Sequence, residues 1–364
     1  MPSASRSHGR ADWRRRALCA RPTASSGTTK SSGTTEPGGL ISVNVAELDQ
    51  KHAQAALLRA LQTHGLVVLN LPRSERLAER VDACMTAAQS FFDRAELSKA
   101  EHMAGDRPEQ QHGWLMFQTG TQFFEVRQHF DGREWQWPTS PGDFRAAVTD
   151  AAALMRSAAT RALAGIVAAL DMDPRHVLSL LDVDAPPRDL TDASHSALRI
   201  WSYQSGTPPT AWHCDNSFLT LGAKGSCRGL HVRLLTGQLL YPEDHMTSDQ
   251  LILYPGDTLS YLSGGRVLAL MHEVDTPPAG APPRLSIPYF LRARRDATLR
   301  PILASRGLEA ARQLPPLSVD DLEENEGGVR QSFSWKQQRY FTEPSALTGL
   351  PPAKYGLKLS GVYR

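Results

Sequence analysis

The sequence predicts an α+β chain with a mainly β core, in which helices come first and a jelly-roll-like barrel follows. Two observations carry this. Apolar residues from about 51 to 181 recur at helical spacing. From about 197 the pattern changes to eight short β-branched and aromatic runs at near-regular spacing, punctuated by Gly and Pro, which suits a sandwich or barrel rather than a parallel α/β sheet.

Taken in order, residues 51–63 place Ala53, Leu57, Leu58 and Leu61 on one helical face, with Gly65 as a C-cap. The run 66–72, LVVLNLP, is short, β-branched and closed by Pro72, so it predicts a strand. Helical spacing returns over 74–92 through Leu77, Val81, Cys84, Met85, Ala88 and Phe92. A long helix is expected over 142–170, and a shorter one over 174–181 with Pro174 near its start. The eight expected strands are LRIWSY, AWHCDNSF, GLHVRLL, GQLLY, QLILY, DTLSYL, VLALMHEV and LSIPYFLRA.

With 41% hydrophobic and 21% charged residues, the 364-residue chain has the composition of a globular protein with ample core. No run approaches eighteen apolar residues, so no membrane span and no membrane partner are expected. The four cysteines are scattered without a CxxC pair, which argues against a disulfide scaffold or structural zinc and suits a reducing compartment. The first 36 residues hold 7 of the 40 basic and 2 of the 38 acidic residues, with many Ser and Thr. That composition suits a disordered tail or an organellar transit peptide, giving a cytoplasmic location, or a plastid or mitochondrial one. The remaining 33 basic and 36 acidic residues leave no basic excess, so nucleic acid is not an expected partner. The expected organisation is a tail over 1–38, a helical region over 39–190, a barrel over 191–300 and a C-terminal extension over 301–364 packing on it. A monomer is expected.

The pattern HxD occurs twice, as His213–Cys214–Asp215 and as His129–Phe130–Asp131, and about one chance occurrence is expected in a chain with 12 histidines. In an extended strand, residues i and i+2 share a face, so His213 and Asp215 can converge on one point. His272, 57 residues beyond Asp215, is the candidate third ligand. Two imidazoles and one carboxylate on one face of a metal suit Fe(II), because the remaining positions can take cosubstrate and dioxygen. Twelve residues after His272 comes Arg284–Leu285–Ser286, again i and i+2. Its guanidinium and hydroxyl can grip one carboxylate, such as the far end of 2-oxoglutarate. The rival copy lacks this company: the next histidines, His176 and His195, are not followed at comparable distance by RxS.

The order HCDNSFLTL, GLHV, YPGDTLSYLSGG, His272 and RLS closely resembles the Fe(II)/2-oxoglutarate-dependent dioxygenases of the isopenicillin N synthase-like superfamily, over roughly residues 40–295. ALQTHGLVVLNLP also looks like that group's N-terminal element. The resemblance implies a double-stranded β-helix, a cupin-like barrel with the N-terminal helices packed around it. It implies His213, Asp215 and His272 as catalytic iron ligands, and Arg284 and Ser286 on the distal carboxylate of 2-oxoglutarate. Tyr203, in LRIWSY, would be a further cosubstrate contact, while Trp201 stands where the group has Asn and His231 where it has Gln. The implied cofactors are Fe(II), 2-oxoglutarate and O2, and the implied reaction is hydroxylation or desaturation of a small molecule with release of succinate and CO2. An iron oxidase that does not use 2-oxoglutarate, or a non-catalytic binding module, would carry the same fold.

The stretch GTQFFEVRQ (120–128) lies where such enzymes place substrate contacts. Phe123 and Phe124 face opposite ways if it is extended, so only one should line a pocket, and Glu125 and Arg127 share a face. Phe124, Glu125 and Arg127 are the expected substrate contacts.

Overall fold

The computed structural model describes residues 34–35, 39–102, 112–127, 137–181, 195–301 and 316–319. The copy His129–Asp131 and most of the C-terminal extension lie outside these residues.

The front of the chain forms strands β1 (Thr34–Thr35) and β2 (Ile41–Asn44), helix α1 (Lys51–His64), β3 (Val67–Asn70) and α2 (Leu77–Phe92). Helix α1 stops at Gly65, whose φ of 81° is left-handed and whose N–H closes on the Leu61 carbonyl. The short α3 (Glu96–Lys99), the strands β4 (Gly113–Met116) and β5 (Gln122–Arg127), the long α4 (Phe144–Ala169) and α5 (Pro174–Leu178) follow. Pro174 sits in the first turn of α5, where the Asp173 carboxylate accepts the Arg175 N–H.

The later strands are β6 (Ala197–Tyr203), β7 (Leu219–Ala223), β8 (Leu230–Arg233), β9 (Leu239–Leu240) and β10 (Gln250–Pro255). After helix α6 (Asp257–Leu262) come β11 (Met271–Val274), β12 (Arg284–Ser286), β13 (Pro288–Leu291), β14 (Thr298–Leu299) and β15 (Leu317–Ser318). Ten strands share one sheet in the order β1-β2-β3-β10-β7-β13-β6-β5-β4, with β12 also paired to β6. A second sheet of three strands runs β11-β8-β9. Among the described residues no closed barrel forms.

Two buried clusters explain the layering. On one face of the large sheet, Leu251 and Leu253 of β10 and Leu198 and Ile200 of β6 pack with residues of α1, α2 and α4. On the other face, Ile252 and Tyr254 of β10 and Val68 of β3 pack against Val232 and Leu240 of the small sheet. A strand covered on both faces has no polar side, which is why QLILYP is buried throughout. Helix α4 is long and apolar enough to cross a membrane by length and composition alone, a test that a buried core helix also passes. Its apolar stripe, including Phe144, Met155, Leu163 and Ile166, lies in the first cluster.

Two expected strands are absent. DTLSYL is helix α6, because Gly256 provides an extended N-cap, Asp257 meets the helix N-terminus and Leu259 and Leu262 are buried one turn apart. AWHCDNSF forms no ladder. Within it only His213 makes a bridge, antiparallel to His272, and the regular strand begins at Leu219. LSIPYFLRA divides into β12 and β13 around Ile287.

Candidate metal centre and adjoining cavity

His213, Asp215 and His272 offer ligand atoms that all lie within 4.8 Å of one another. Backbone hydrogen bonds of 2.9 Å in both directions hold His213 against His272, so the two rings sit 4.3 Å apart. His213 and Asp215 thus converge as expected, but no regular strand brings them together. A single two-residue bridge does the positioning instead.

Each imidazole is fixed from behind. His213 Nδ1 is 2.7 Å from the Ala211 carbonyl and His272 Nδ1 is 3.2 Å from the Leu270 carbonyl. A carbonyl can only accept, so each Nδ1 is the donor of its pair, and Nε2 is the atom turned toward Asp215. Both Nε2 atoms are 3.8 Å from Asp215 Oδ1. The other oxygen, Oδ2, accepts from Thr220 Oγ1 at 2.6 Å, and Thr220 Oγ1 also contacts Ser217 Oγ at 2.9 Å. Burial would raise the Asp215 carboxyl, but His272, His213 and the Thr220 hydroxyl hold it below the ordinary carboxylate range. Tyr254 hydrogen-bonds Asp215, and its ring lies 5.0 Å from His272. Burial and the adjacent Asp215 charge push its phenol far up, so it stays a proton donor. Two nitrogens and one carboxylate oxygen, oriented from behind and open in front, fit a divalent transition metal such as Fe(II).

Gly256 lets the backbone close on this centre. A Cβ there would lie 2.4 Å from the carbonyl oxygens of both Asp215 and Ser217. The Asp257 N–H donates to the Asp215 carbonyl at 2.7 Å across the same contact.

The triad opens on a cavity of about 660 Å³, whose walls include Tyr203, Arg284 and Ser286. That volume suits a small-molecule site. Strand pairing sets Arg284 opposite Tyr203 and Ser286 opposite Trp201. The Tyr203 phenol hydrogen-bonds Ser286, and burial raises it to about 12. The three residues expected to bind one carboxylate therefore share a wall.

Glu243, which sequence reasoning missed, pairs with Arg284 at 2.8 Å, and both side chains are buried. Its carboxylate also accepts from the backbone N–H groups of Gly225, Gly229 and Leu230. Gly229 is required here, because a Cβ would lie 2.3 Å from Arg284 Nε. Arg284 Nε donates to the Cys227 carbonyl, while Nη1 is buried without a hydrogen-bond partner. An orphaned donor of this kind fits an incoming carboxylate.

The expected substrate residues divide. Phe124 is fully buried among Phe91 and Phe144, and Phe123 is the ring that lines the cavity. Alternation across β5 allowed one of the two, and the helix layer took Phe124. Glu125 is fully buried and does not line the cavity. It binds Arg127 at 2.6 Å and Arg199 through Nε at 2.6 Å. Arg127 does line the cavity, as expected. Arg199, Trp201, Thr220 and Tyr254 were not among the expected residues. The alternation in LRIWSY, which puts Arg199 and Trp201 on Tyr203's face, was the signal for two of them. His231 stands outside the cavity walls, stacked on Tyr241 with Nδ1 2.9 Å from Glu273.

No protein-family model matches the sequence, and no curated protein matches it. Solved structures do match. A full-length Neurospora crassa protein, in complex with alpha-KG and 5-formyluracil, aligns with a TM-score of 0.64 at 19% identity, covering 81% of this chain and 99% of that one. JOX2 in complex with 2OG, Fe and JA aligns with a TM-score of 0.62 at 16% identity, covering 80% and 84%. A dioxygenase for auxin oxidation in rice aligns with a TM-score of 0.60 at 19% identity, covering 80% and 95%. At these identities the likeness establishes a shared fold, that of the 2-oxoglutarate/iron oxygenases.

Proposed function

We propose that this chain is a non-haem Fe(II)- and 2-oxoglutarate-dependent oxygenase that hydroxylates or desaturates a small organic molecule, releasing succinate and CO2. The observation that carries the reading is the triad itself, with both Nε2 atoms and Asp215 Oδ1 facing one point at the wall of a cavity. The small-molecule ligands bound to the structural neighbours support the substrate class by analogy. We read the two facing sheets as the halves of a double-stranded β-helix.

His213, Asp215 and His272 would hold the iron, which when bound supplies the activation of dioxygen. Thr220 holds Asp215 Oδ2, so that Oδ1 is the oxygen presented, and Tyr254 also hydrogen-bonds the carboxylate. Arg284, Ser286 and Tyr203 would anchor the distal carboxylate of 2-oxoglutarate, with Glu243 holding the guanidinium in place. Aromatic side chains, among them Phe123, Trp201, Tyr203 and Tyr254, line the same cavity and would pack against a bound substrate.

The buried Arg284–Glu243 pair favours one second reading, an iron oxidase of the same fold that does not use 2-oxoglutarate, because the guanidinium already has a counter-charge. The two are separated by an unbiased screen for substrate-dependent succinate release. Succinate formed one-for-one with product supports the oxygenase, and product without succinate supports the oxidase.

A further inference from the structure

We propose that the cavity contains a subsite for a flat organic anion, an aromatic carboxylic acid whose carboxylate meets Arg199 and whose ring lies against Phe123 and Trp201. The proposal rests on the reading of the triad as an oxygenase metal centre, and it names the substrate class of that same cavity.

Arg199, Trp201 and Tyr203 project from one face of β6, all into the cavity. Two side-chain steps, on the order of 13 Å, separate Tyr203 beside Arg284 from Arg199. Of the arginines that line the cavity, which also include Arg127, Arg292 and Arg295, Arg199 and Arg284 have different settings. Arg284 is sunk in its ion pair with Glu243, whereas the Arg199 side chain keeps 18% exposure at the cavity wall.

Arg199 is also held as a fixed donor. Glu125, with a side chain of 0% exposure, binds its Nε and Nη2 edge through a single oxygen, Oε2. Its other oxygen takes Arg127. The guanidinium carbon sits 4.6 Å from the Phe123 ring, 5.4 Å from Trp201 and 5.6 Å from Phe290. A guanidinium packed in this way keeps its plane and direction without further cost, so its Nη1 edge is a preorganised donor for a carboxylate. Strand register sets Phe123 opposite Trp201, with ring centroids 4.9 Å apart, and both line the cavity. Trp201 stacks in turn on Phe117, which is 45% exposed. Apolar faces beside a fixed cation favour a planar anion over a neutral sugar or a cation.

The test is calorimetric titration of 2-naphthoate and its neutral isostere 2-naphthamide into anaerobic protein loaded with Fe(II) and saturating 2-oxoglutarate. Saturation keeps the probe from Arg284. The native protein should bind the acid at least about tenfold more tightly than the amide, as expected for a charge-assisted pair over a neutral one. Arg199→Gln should remove that preference, and Arg199→Lys should retain part of it. Trp201→Leu, which leaves the ion pairs intact, should weaken acid and amide alike by about tenfold, the scale of a lost aromatic contact. Equal binding of acid and amide by the native protein, or an unchanged preference in Arg199→Gln, would overturn the subsite. The visible band of chelated 2-oxoglutarate, recorded in the same samples, separates the two readings. An intact band with no naphthoate binding sinks the subsite alone, and Arg199-dependent binding with no band sinks the oxygenase reading alone.

Discussion

The Thr220 hydroxyl donates to Asp215 Oδ2 across 2.6 Å, leaving Oδ1 as the oxygen that faces both imidazoles. One carboxylate is thereby divided into an anchored oxygen and a presented one. Thr220→Val keeps the side-chain shape and removes only the donor. Metal affinity should fall about 10–100-fold, the range for lost outer-shell partners, with little change in folding. Anaerobic equilibrium dialysis with Fe(II) beside a thermal melt measures both. Unchanged affinity would show that the Thr220 hydroxyl does not orient the ligand.

Gly256→Ala and Gly229→Ala should have separable effects. At Gly256 the new methyl meets two backbone oxygens at 2.4 Å, which cannot swing away. The turn must shift, metal affinity should drop, and stability should fall by about 1–3 kcal/mol or more. At Gly229 the methyl strikes the Arg284 side chain. There the apparent constant for 2-oxoglutarate should rise while iron affinity holds. Steady-state kinetics in 2-oxoglutarate and separate metal titrations test the contrast, which fails if both variants lose the same property.

Arg284→Leu should weaken 2-oxoglutarate binding by about 2–5 kcal/mol. It should also destabilise the fold by about 3–5 kcal/mol, because Glu243 would be left as a buried charge without its cation. Adding Glu243→Gln should recover much of the lost stability but none of the cosubstrate binding. A double variant that melts no higher than Arg284→Leu would mean that the pair is not what holds this corner together.

Much of this site was legible in the sequence. The two i, i+2 pairs and the distal histidine depend on side-chain type and spacing, which survive local irregularity, so His213, Asp215, His272, Arg284 and Ser286 reached one cavity. Local backbone was less legible. DTLSYL alternates as a strand would, but its neighbours Gly256 and Gly264 set a helix between them. Glu243 was invisible because its role depends on a partner 41 residues away in sequence and on the glycines that make room for it. Phe124 was misplaced because alternation gives two faces without saying which one the helices cover.

Acid should reveal the cluster behind the aromatic wall. Burial would raise the Glu125 carboxyl, but Arg127, Arg199 and Arg292 bring it from the ordinary 4.5 down to about 2. A carboxylate depressed on folding stabilises the protein fully above its unfolded value, and loses that contribution as pH falls through its folded value. Native stability should therefore decline between pH 4.5 and about 2 in part through Glu125. Glu125→Gln should be less stable at neutral pH and show a shallower decline over that window. Urea unfolding at stepped pH measures it, and parallel acid limbs for the two proteins would refute the assignment.

The central claim is that iron and 2-oxoglutarate meet at His213, Asp215 and His272. The most direct measurement is anaerobic titration of Fe(II) with saturating 2-oxoglutarate, following the weak visible charge-transfer band of the chelated 2-oxo acid. The band should develop at one Fe(II) per chain in the native protein and in His129→Ala, and should be absent in Asp215→Ala. A band that survives Asp215→Ala and disappears in His129→Ala would contradict the account.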